Sequence, residues 1–159
     1  MEQIGLSRIP LTDDAGRPLK ILKGLMNTLG GRITAWGPDH VTIEMEVSDK
    51  VRNGIDIVLG GVIAALIDTA GAHAGIFCAE PGRTRQAMTV SLNLNLEGNI
   101  SNGVLIASAR VRKAGRTIFV SSCDGTDGDG NLLATGEVVG RYGRGSHLPE
   151  AVEITDSVS

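Results

Sequence analysis

The chain has 159 residues, of which 42% are hydrophobic and 21% charged, and its formal net charge is −3. This length predicts one domain that buries a stable core without disulfides or metals. The negative charge and the scarcity of aromatic residues (one Trp, one Tyr and two Phe) argue against a nucleic-acid partner.

The cysteines and the start of the chain indicate the compartment. Cys78 and Cys123 form no C-x-x-C motif, so we expect reduced thiols, which are typical of a cytoplasmic protein. Met1-Glu2-Gln3 lacks the basic and apolar regions of a secretory signal. The histidines lack metal-ligand spacing and the glycines form no P-loop or dinucleotide fingerprint, so neither a metal nor a cofactor is predicted.

The first half of the chain begins with a predicted helix and a strand. Leu11 to Gly31 carries apolar residues at helical spacing and ends on Gly30-Gly31, which predicts an amphipathic N-terminal helix. From Val41 to Val47 apolar and polar residues alternate, as in a half-buried strand. The polar segment Asp49 to Asp56 predicts a loop.

The next segment, Gly60 to Ala79, predicts a long buried helix that ends at Glu80-Pro81-Gly82. A membrane span is the alternative, because Ile57 to Ala79 is long and almost without charge. The central Asp68 and His73, together with many Ala and Gly residues, favour a buried helix of a soluble domain, so no membrane partner is predicted.

The second half predicts four strands in a meander: Met88–Leu96, Val104–Arg112, Thr117–Cys123 and Leu132–Arg141. The predicted class is α+β, with a five-stranded antiparallel sheet wrapped around one long central helix, plus an N-terminal helix. The predicted organisation is a helical segment at 1–31, one domain at 32–142 and a flexible polar tail at 143–159.

Two features of the predicted central helix indicate chemistry. Gly60-Gly61 leaves bare backbone N–H groups at a helix start, where they can polarise an acceptor oxygen. Asp68, seven residues beyond Gly61, is a carboxylate that is costly to bury unless it is paired or used. One short element therefore offers both an oxyanion-stabilising donor and a carboxylate.

A larger set of residues resembles a known family: Asn53, Gly60-Gly61, Leu66 and Asp68, followed by the strand Thr89-Val90-Ser91-Leu92-Asn93. This set is similar to the hotdog-fold acyl-CoA thioesterases, in particular the phenylacetate-pathway and human thioesterase-superfamily type. The resemblance covers about Val41 to Arg141 and implies that 32–142 is a hotdog domain. The family has His-Gly-Gly where this chain has Leu59 before the two glycines.

The resemblance also implies roles. The Gly60 N–H, with Gly61 adjacent, polarises the thioester carbonyl, and Asp68 acts as a general base or as a nucleophile. Asn53 holds water or the carbonyl, and Thr89 positions the water. In this family the Asn and the Asp come from different subunits, so the resemblance implies a homodimer or homotetramer.

The resemblance also implies that basic residues at one turn contact the phosphates of coenzyme A. They are Arg112, Lys113 and Arg116, with Arg83 and Arg85 as a second candidate pair. A lone basic turn is otherwise ordinary solvated surface.

Each proposed site residue also has a purely structural interpretation. Asp68 can pair with His73 or with a neighbouring hydroxyl. Asn53-Gly54 is a common turn pair, and Thr89 is a common strand residue. Gly60-Gly61 can serve close helix packing alone.

The predicted function is hydrolysis of an acyl-CoA thioester, with an aryl or medium-length acyl group, to the free acid and coenzyme A. Two alternatives stay open. One is a binding module that holds acyl-CoA without cleaving it, which is consistent with Leu59. The other is a hydratase or dehydratase of acyl thioesters, whose relatives use a histidine that this chain lacks in the loop before Gly60.

Overall fold

The structure is a computed structural model that describes residues 12–153. Its helices are α1 (Leu25–Thr28) and α2 (Gly60–Ala74). Its strands are β1 (Arg32–Gly37), β2 (His40–Glu46), β3 (Arg83–Thr84), β4 (Ala87–Leu96), β5 (Val104–Ala114), β6 (Ile118–Asp127), β7 (Leu132–Tyr142) and β8 (Val152–Glu153).

One antiparallel sheet packs against α2 and confirms the predicted fold class. Within residues 12–153 it has six strands in the order β1-β2-β5-β6-β7-β4, whereas five were predicted. The additional strand is β1, in which the pairing with β2 shifts between Ile33 and Ala35. This bulge breaks the alternation of apolar and polar residues on which the prediction of strands depends.

The central helix is shorter than predicted. It ends at Ala74 rather than Ala79, and Gly75 forms its C-cap. Two of its glycine positions lie against the sheet, since a Cβ at Gly71 would overlap Val138 and one at Gly75 would overlap Phe119. The glycines thus allow a close approach of helix and sheet. Within residues 12–153 the structure contains no helix of sufficient length and apolarity to cross a membrane.

The predicted N-terminal helix is wrong over most of its length. Only Leu25–Thr28 is helical, and Leu11 lies outside the described residues. Gly24 has φ of +61°, which a right-handed helix does not accommodate, and Pro18 lacks the N–H that a helix interior needs. Leu22 and Met26 nevertheless lie in the core, so the apolar spacing reports burial of an irregular segment.

The predicted meander is wrong for β4, the first long strand after α2. Strand β4 pairs with β7 at the far edge of the sheet, while β5 pairs with β2. The segment between β4 and β5 crosses the start of α2, where Val58 N–H donates to the Ile100 carbonyl. This crossing carries the chain from one side of the sheet to the other, so that only β5, β6 and β7 form a meander.

Part of the predicted flexible tail packs against the domain. Strand β8 pairs with β3, and Ser146 and Ala151 are buried. The Ser146 hydroxyl accepts a hydrogen bond from the Gln86 N–H at 3.0 Å. Residues 154–159 lie outside the described part of the chain, and the domain boundaries stay predictions.

Candidate active site

A short hydrogen bond joins the only acidic residue of α2 to the neighbouring edge strand. The Thr89 hydroxyl on β4 donates to Oδ1 of Asp68 at 2.6 Å. This length is at the short end of the range for hydrogen bonds between two oxygens. Both residues are half-buried, so the carboxylate is held in place and is still reachable from outside.

A β-bulge places Thr89 on the helix side of β4. Thr89 bonds to α2, and Leu96 also contacts α2, since its Cδ1 lies 2.7 Å from a Cβ built at Gly60. Thr89 and Leu96 are an odd number of residues apart, so strict alternation would place them on opposite faces. The pairing of β4 with β7 shifts between Thr89 and Ser91, and this shift returns Thr89 to the helix side.

The start of α2 offers uncapped backbone donors. Leu59 is the N-cap residue, and its side chain makes no capping hydrogen bond. The N–H groups of Gly60 and Gly61 have no preceding helical turn to bond, and the nearest helix-start bond runs from the Val62 N–H to the Leu59 carbonyl at 2.8 Å.

The two glycines at this helix start differ in their surroundings. A Cβ at Gly60 would press on Leu96, whereas a Cβ at Gly61 would find its nearest atom, Leu59 Cδ2, at 3.9 Å. Gly61 is exposed and its φ is not positive, so neither backbone strain nor packing within the protomer requires a glycine there. Close packing therefore accounts for Gly60 and leaves Gly61 unexplained within one protomer.

The donor and the carboxylate are far apart along the helix. Asp68 follows Gly60 by eight residues, which is about 12 Å of axial rise at roughly 1.5 Å per residue. A carbonyl oxygen and the nucleophile that attacks its carbon lie only about 3 Å apart. The two groups are therefore widely separated for one thioester if both come from the same α2, which favours a donor and a carboxylate from different helices.

Asn53 lies in the loop before α2 and closes that loop on itself. Its side-chain Oδ1 accepts the N–H groups of Ile55 at 3.0 Å and of Ile57 at 3.4 Å. This is the Asx-turn geometry that the structural interpretation of Asn53-Gly54 predicts. Within residues 12–153 the Nδ2 group donates no hydrogen bond, so the amide can still donate outward.

His73 is not the partner of Asp68. Its Nδ1 lies 2.8 Å from the Thr69 carbonyl, one turn earlier in α2, and its ring packs on Trp36 with centroids 5.7 Å apart. Burial lowers the pKa of His73, an effect that the hydrogen bond to Thr69 opposes and the nearby Lys20 charge reinforces. The structural interpretation of Asp68 offered two partners, His73 or a neighbouring hydroxyl. The structure contains the second, which is the hydroxyl of Thr89.

The predicted basic turn joins β5 and β6, the two central strands of the sheet. Arg112, Lys113 and Arg116 are exposed, and none forms an ion pair within the described residues. The strand register runs Thr89–Gly140, Gly140–Phe119 and Phe119–Ala114. Three strand spacings of about 4.8 Å separate the turn from Thr89 by roughly 14 Å. The other candidates, Arg83 and Arg85, bind backbone carbonyls.

An exposed apolar edge beside Asp68 is a feature that the sequence did not predict. The alternation in β4 predicts one buried face, yet four of its five large apolar side chains are exposed, all but the half-buried Leu94: Met88 63%, Val90 53%, Leu92 38% and Leu96 53%. Strand β4 is also an edge of the sheet, with free hydrogen-bonding groups along ten residues. The position of β4 at the edge follows from the order of strands in the sheet. Local periodicity of the sequence does not predict that order.

Comparisons with known proteins agree with this architecture. Residues 56–134 match the family model described as "Thioesterase superfamily". A Haemophilus influenzae protein named "Putative esterase" is 32% identical over 96 residues, which are 60% of this chain and 68% of that protein. Human acyl-coenzyme A thioesterase 13 is 29% identical over 109 residues, covering 67% of this chain and 76% of the relative.

A solved structure gives the same result in three dimensions. The crystal structure of a thioesterase from Haemophilus influenzae superposes with a TM-score of 0.67 at 27% identity, over 76% of this chain and 82% of that one. The match confirms the hotdog fold that the resemblance implied. The matched family region contains Gly60, Gly61, Asp68 and Thr89, and begins just after Asn53.

Proposed function

This chain belongs to the thioesterase superfamily, and from that membership we propose that it hydrolyses an acyl-CoA thioester to a free acid and coenzyme A. The single observation that carries the proposal is the hydrogen bond between Thr89 and Asp68. It fixes a carboxylate, half exposed, on a helix that contains no other acidic residue.

The proposed chemistry needs one donor and one carboxylate. The Gly60 N–H donates to the thioester carbonyl oxygen and stabilises the negative charge that develops there. Thr89 occupies Oδ1 of Asp68, so Oδ2 can accept a proton from water. The resulting hydroxide attacks the carbonyl carbon, the C–S bond breaks, and the thiolate of coenzyme A leaves and takes up a proton. Direct attack by Asp68 is the alternative route: the carboxylate forms a mixed anhydride as the C–S bond breaks, and water then hydrolyses the anhydride, which regenerates Asp68 and gives the same products.

The proposed active unit is a dimer in which each site combines two protomers. The separation of about 12 Å between Gly60 and Asp68 on one helix supports this arrangement, because one thioester contacts both groups more readily when they come from different chains. The exposed β4 edge supports a two-fold pairing of β4 with the partner's β4. In this arrangement Asn53 and Gly60 of one protomer act with the partner's Asp68.

We propose an apolar acyl group, aryl or of medium length. The exposed side chains of Leu92 and Leu96 on β4, and of Leu59 at the helix start, offer apolar surface on both sides of the proposed carbonyl position. The open space at Gly61 suits the close approach of such a ligand. Leu59 in place of a polar residue makes this surface more apolar.

The basic turn is proposed to contact the phosphates of coenzyme A. Arg112, Lys113 and Arg116 have no ion-pair partner within residues 12–153, and the turn lies roughly 14 Å from Thr89 along the sheet. The pantetheine arm of coenzyme A separates its phosphates from the thioester by a comparable length. Replacing all three residues by Ser should raise KM and leave kcat nearly unchanged.

Thiol release from a panel of acyl-CoA thioesters, followed with a chromogenic thiol reagent, tests the proposed hydrolysis. The protein's own cysteines should contribute little, because both are buried and burial raises the pKa of Cys123 to about 12. Asp68→Asn should lower kcat by about a thousandfold or more. Asp129→Asn, which removes an exposed carboxylate of the β6–β7 turn, is the matched control and should retain activity. Equal turnover by Asp68→Asn and the wild type would refute the assignment.

A binding module is the second candidate, and Leu59 is the observation that favours it. The family histidine before the glycines is missing, so a chain that binds acyl-CoA without cleaving it is chemically reasonable. Calorimetric binding of an acyl-CoA, with no thiol released over hours, would establish this function and exclude the first.

A further inference from the structure

A second cavity lies on the other flank of α2, away from β4. It has a volume of about 310 Å³ and is lined by Lys20, Ile21, Leu22, Lys23, Met26, Thr69 and His73. This volume is at the lower end of the range for small-molecule sites. Most of the wall comes from residues 20–26, which precede the part of the chain that matches the family model. The N-terminal segment 20–26 therefore builds most of the cavity.

The cavity has an apolar wall and two lysines, and no acidic side chain pairs with either lysine within the described residues. Leu22 and Met26 are buried in its floor, and Ile21 is 76% exposed at its rim. Lys20 and Lys23 form no ion pair within the described residues. Burial lowers the pKa of Lys20, and the neighbouring positive charge of Lys23 lowers it further. Two ammonium groups beside apolar side chains give the cavity a positive charge that a bound anion would offset.

Trp36 forms an aromatic surface beside the cavity and contacts both Lys20 and His73. The Lys20 Nζ lies 6.0 Å from the centroid of the Trp36 ring, and the same ring packs against His73. The Trp36 Nε1 donates to the His73 carbonyl at 2.9 Å, which ties the ring to α2. Lys20 thus lies over a fixed aromatic face and is still exposed to solvent, where a ligand can reach it.

The cavity is separate from the proposed hydrolysis site. Asp68 and His73 are five residues apart in α2, which places them about 140° apart around the helix axis. The Asp68 flank faces β4 through Thr89, whereas the His73 flank faces Trp36. A ligand in this cavity therefore need not touch the Asp68 carboxylate.

We propose that this cavity binds a carboxylate attached to an apolar chain, with the carboxylate between Lys20 and Lys23 and the chain over Leu22 and Met26. The lysines supply the charge that a carboxylate needs, and the small apolar wall limits the chain to medium length. Two sources of this ligand are chemically equivalent at the site: a free medium-chain acid, and an acyl group that carries a second carboxylate at its far end.

The intrinsic fluorescence of Trp36 provides a direct test, because it is the only Trp in the chain. We expect octanoate to change the emission in a saturable way, whereas octanol and acetate, which lack the charge or the chain, should bind at least about tenfold more weakly. Lys20→Met should raise the dissociation constant of octanoate about tenfold, and Lys20→Arg should restore most of the affinity.

Lys50→Met is the matched control, since Lys50 is an exposed lysine of the short turn Asp49–Val51. It should bind octanoate like the wild type. Because Lys20 lies over Trp36, the dissociation constants are repeated by calorimetry, which does not depend on the emission of the ring. Equal affinity for octanoate and octanol, or unchanged affinity in Lys20→Met, would overturn the proposal.

A kinetic experiment distinguishes the two sources, and this arm rests on the proposed hydrolysis. Hexanoyl-CoA and adipoyl-CoA have acyl groups of equal length, and only the second carries a terminal carboxylate. If the cavity holds the end of the acyl group, Lys20→Met should lower kcat/KM for adipoyl-CoA about tenfold and leave that for hexanoyl-CoA unchanged. If both values are unchanged while octanoate binding is lost, the ligand is the free acid.

Discussion

Subunit mixing tests the proposal that each site combines two protomers. The Asp68→Asn variant lacks the carboxylate. The Gly61→Ala variant carries a methyl group where the structure leaves open space beside the helix-start donors. We expect each variant alone to be nearly inactive. The two are then unfolded together at equal concentration and refolded, so that half of the dimers contain one copy of each variant.

The expected recovery follows from the helix geometry. Because the Gly60 donor and the Asp68 carboxylate are about 12 Å apart on one helix, a site takes one of them from each chain. A hybrid dimer then has one site with both changes and one with neither. Half of the dimers, each with one of two sites intact, should give about a quarter of the wild-type activity.

Thiol release from the best acyl-CoA substrate measures the recovery, and native mass spectrometry measures the hybrid fraction. Mixing each variant with itself by the same procedure is the control and should give no recovery. If hybrids form and activity stays at the level of the two parents, donor and carboxylate belong to one protomer, and the reasoning from helix length is wrong.

Three further predictions follow from individual contacts. Gly61→Ala should keep or raise stability, by up to about 1 kcal/mol, whereas Gly71→Ala should lose about 1–3 kcal/mol because its methyl overlaps the sheet; thermal unfolding compares the two. Thr89→Val should lower kcat about tenfold with little change in KM, since it removes the hydroxyl that holds the carboxylate, and unchanged kcat would refute this role. Burial lowers the pKa of His73, so the unfolded chain takes up a proton first as the pH falls. Stability should therefore decrease below about pH 6.5, with a smaller slope for His73→Gln, and parallel slopes would contradict this assignment.

The sequence predicted the parts of the fold that depend on local periodicity. The alternation from Val41 to Val47 and the apolar run after Gly60 are local signals, and β2 and α2 lie where those signals place them. The N-terminal segment misled the same reasoning, because apolar spacing reports which side chains are buried and not whether Gly24 permits a helix.

The candidate site depended on information that local pattern does not contain. Asp68 was identified because a lone carboxylate in an apolar helix is costly. Its contact with Thr89 depends on two non-local features, the pairing of β4 with β7 and the bulge that turns Thr89 towards α2. The exposure of β4 likewise follows from strand order, so the same alternating residues that predict a buried face line an open edge.

The start of α2 connects the stability of the fold to its proposed function. Leu59 at the N-cap forgoes a side-chain hydrogen bond, which Ser, Thr or Asp would supply with a gain of about 1 kcal/mol. A capping oxygen would occupy the space in front of the first N–H groups, where the thioester oxygen is proposed to bind. It would also carry partial or full negative charge into the position where charge develops during hydrolysis. An apolar N-cap followed by two glycines keeps these donors free for a ligand, and the loss of a cap at this helix is compensated by the packing of α2 against the sheet.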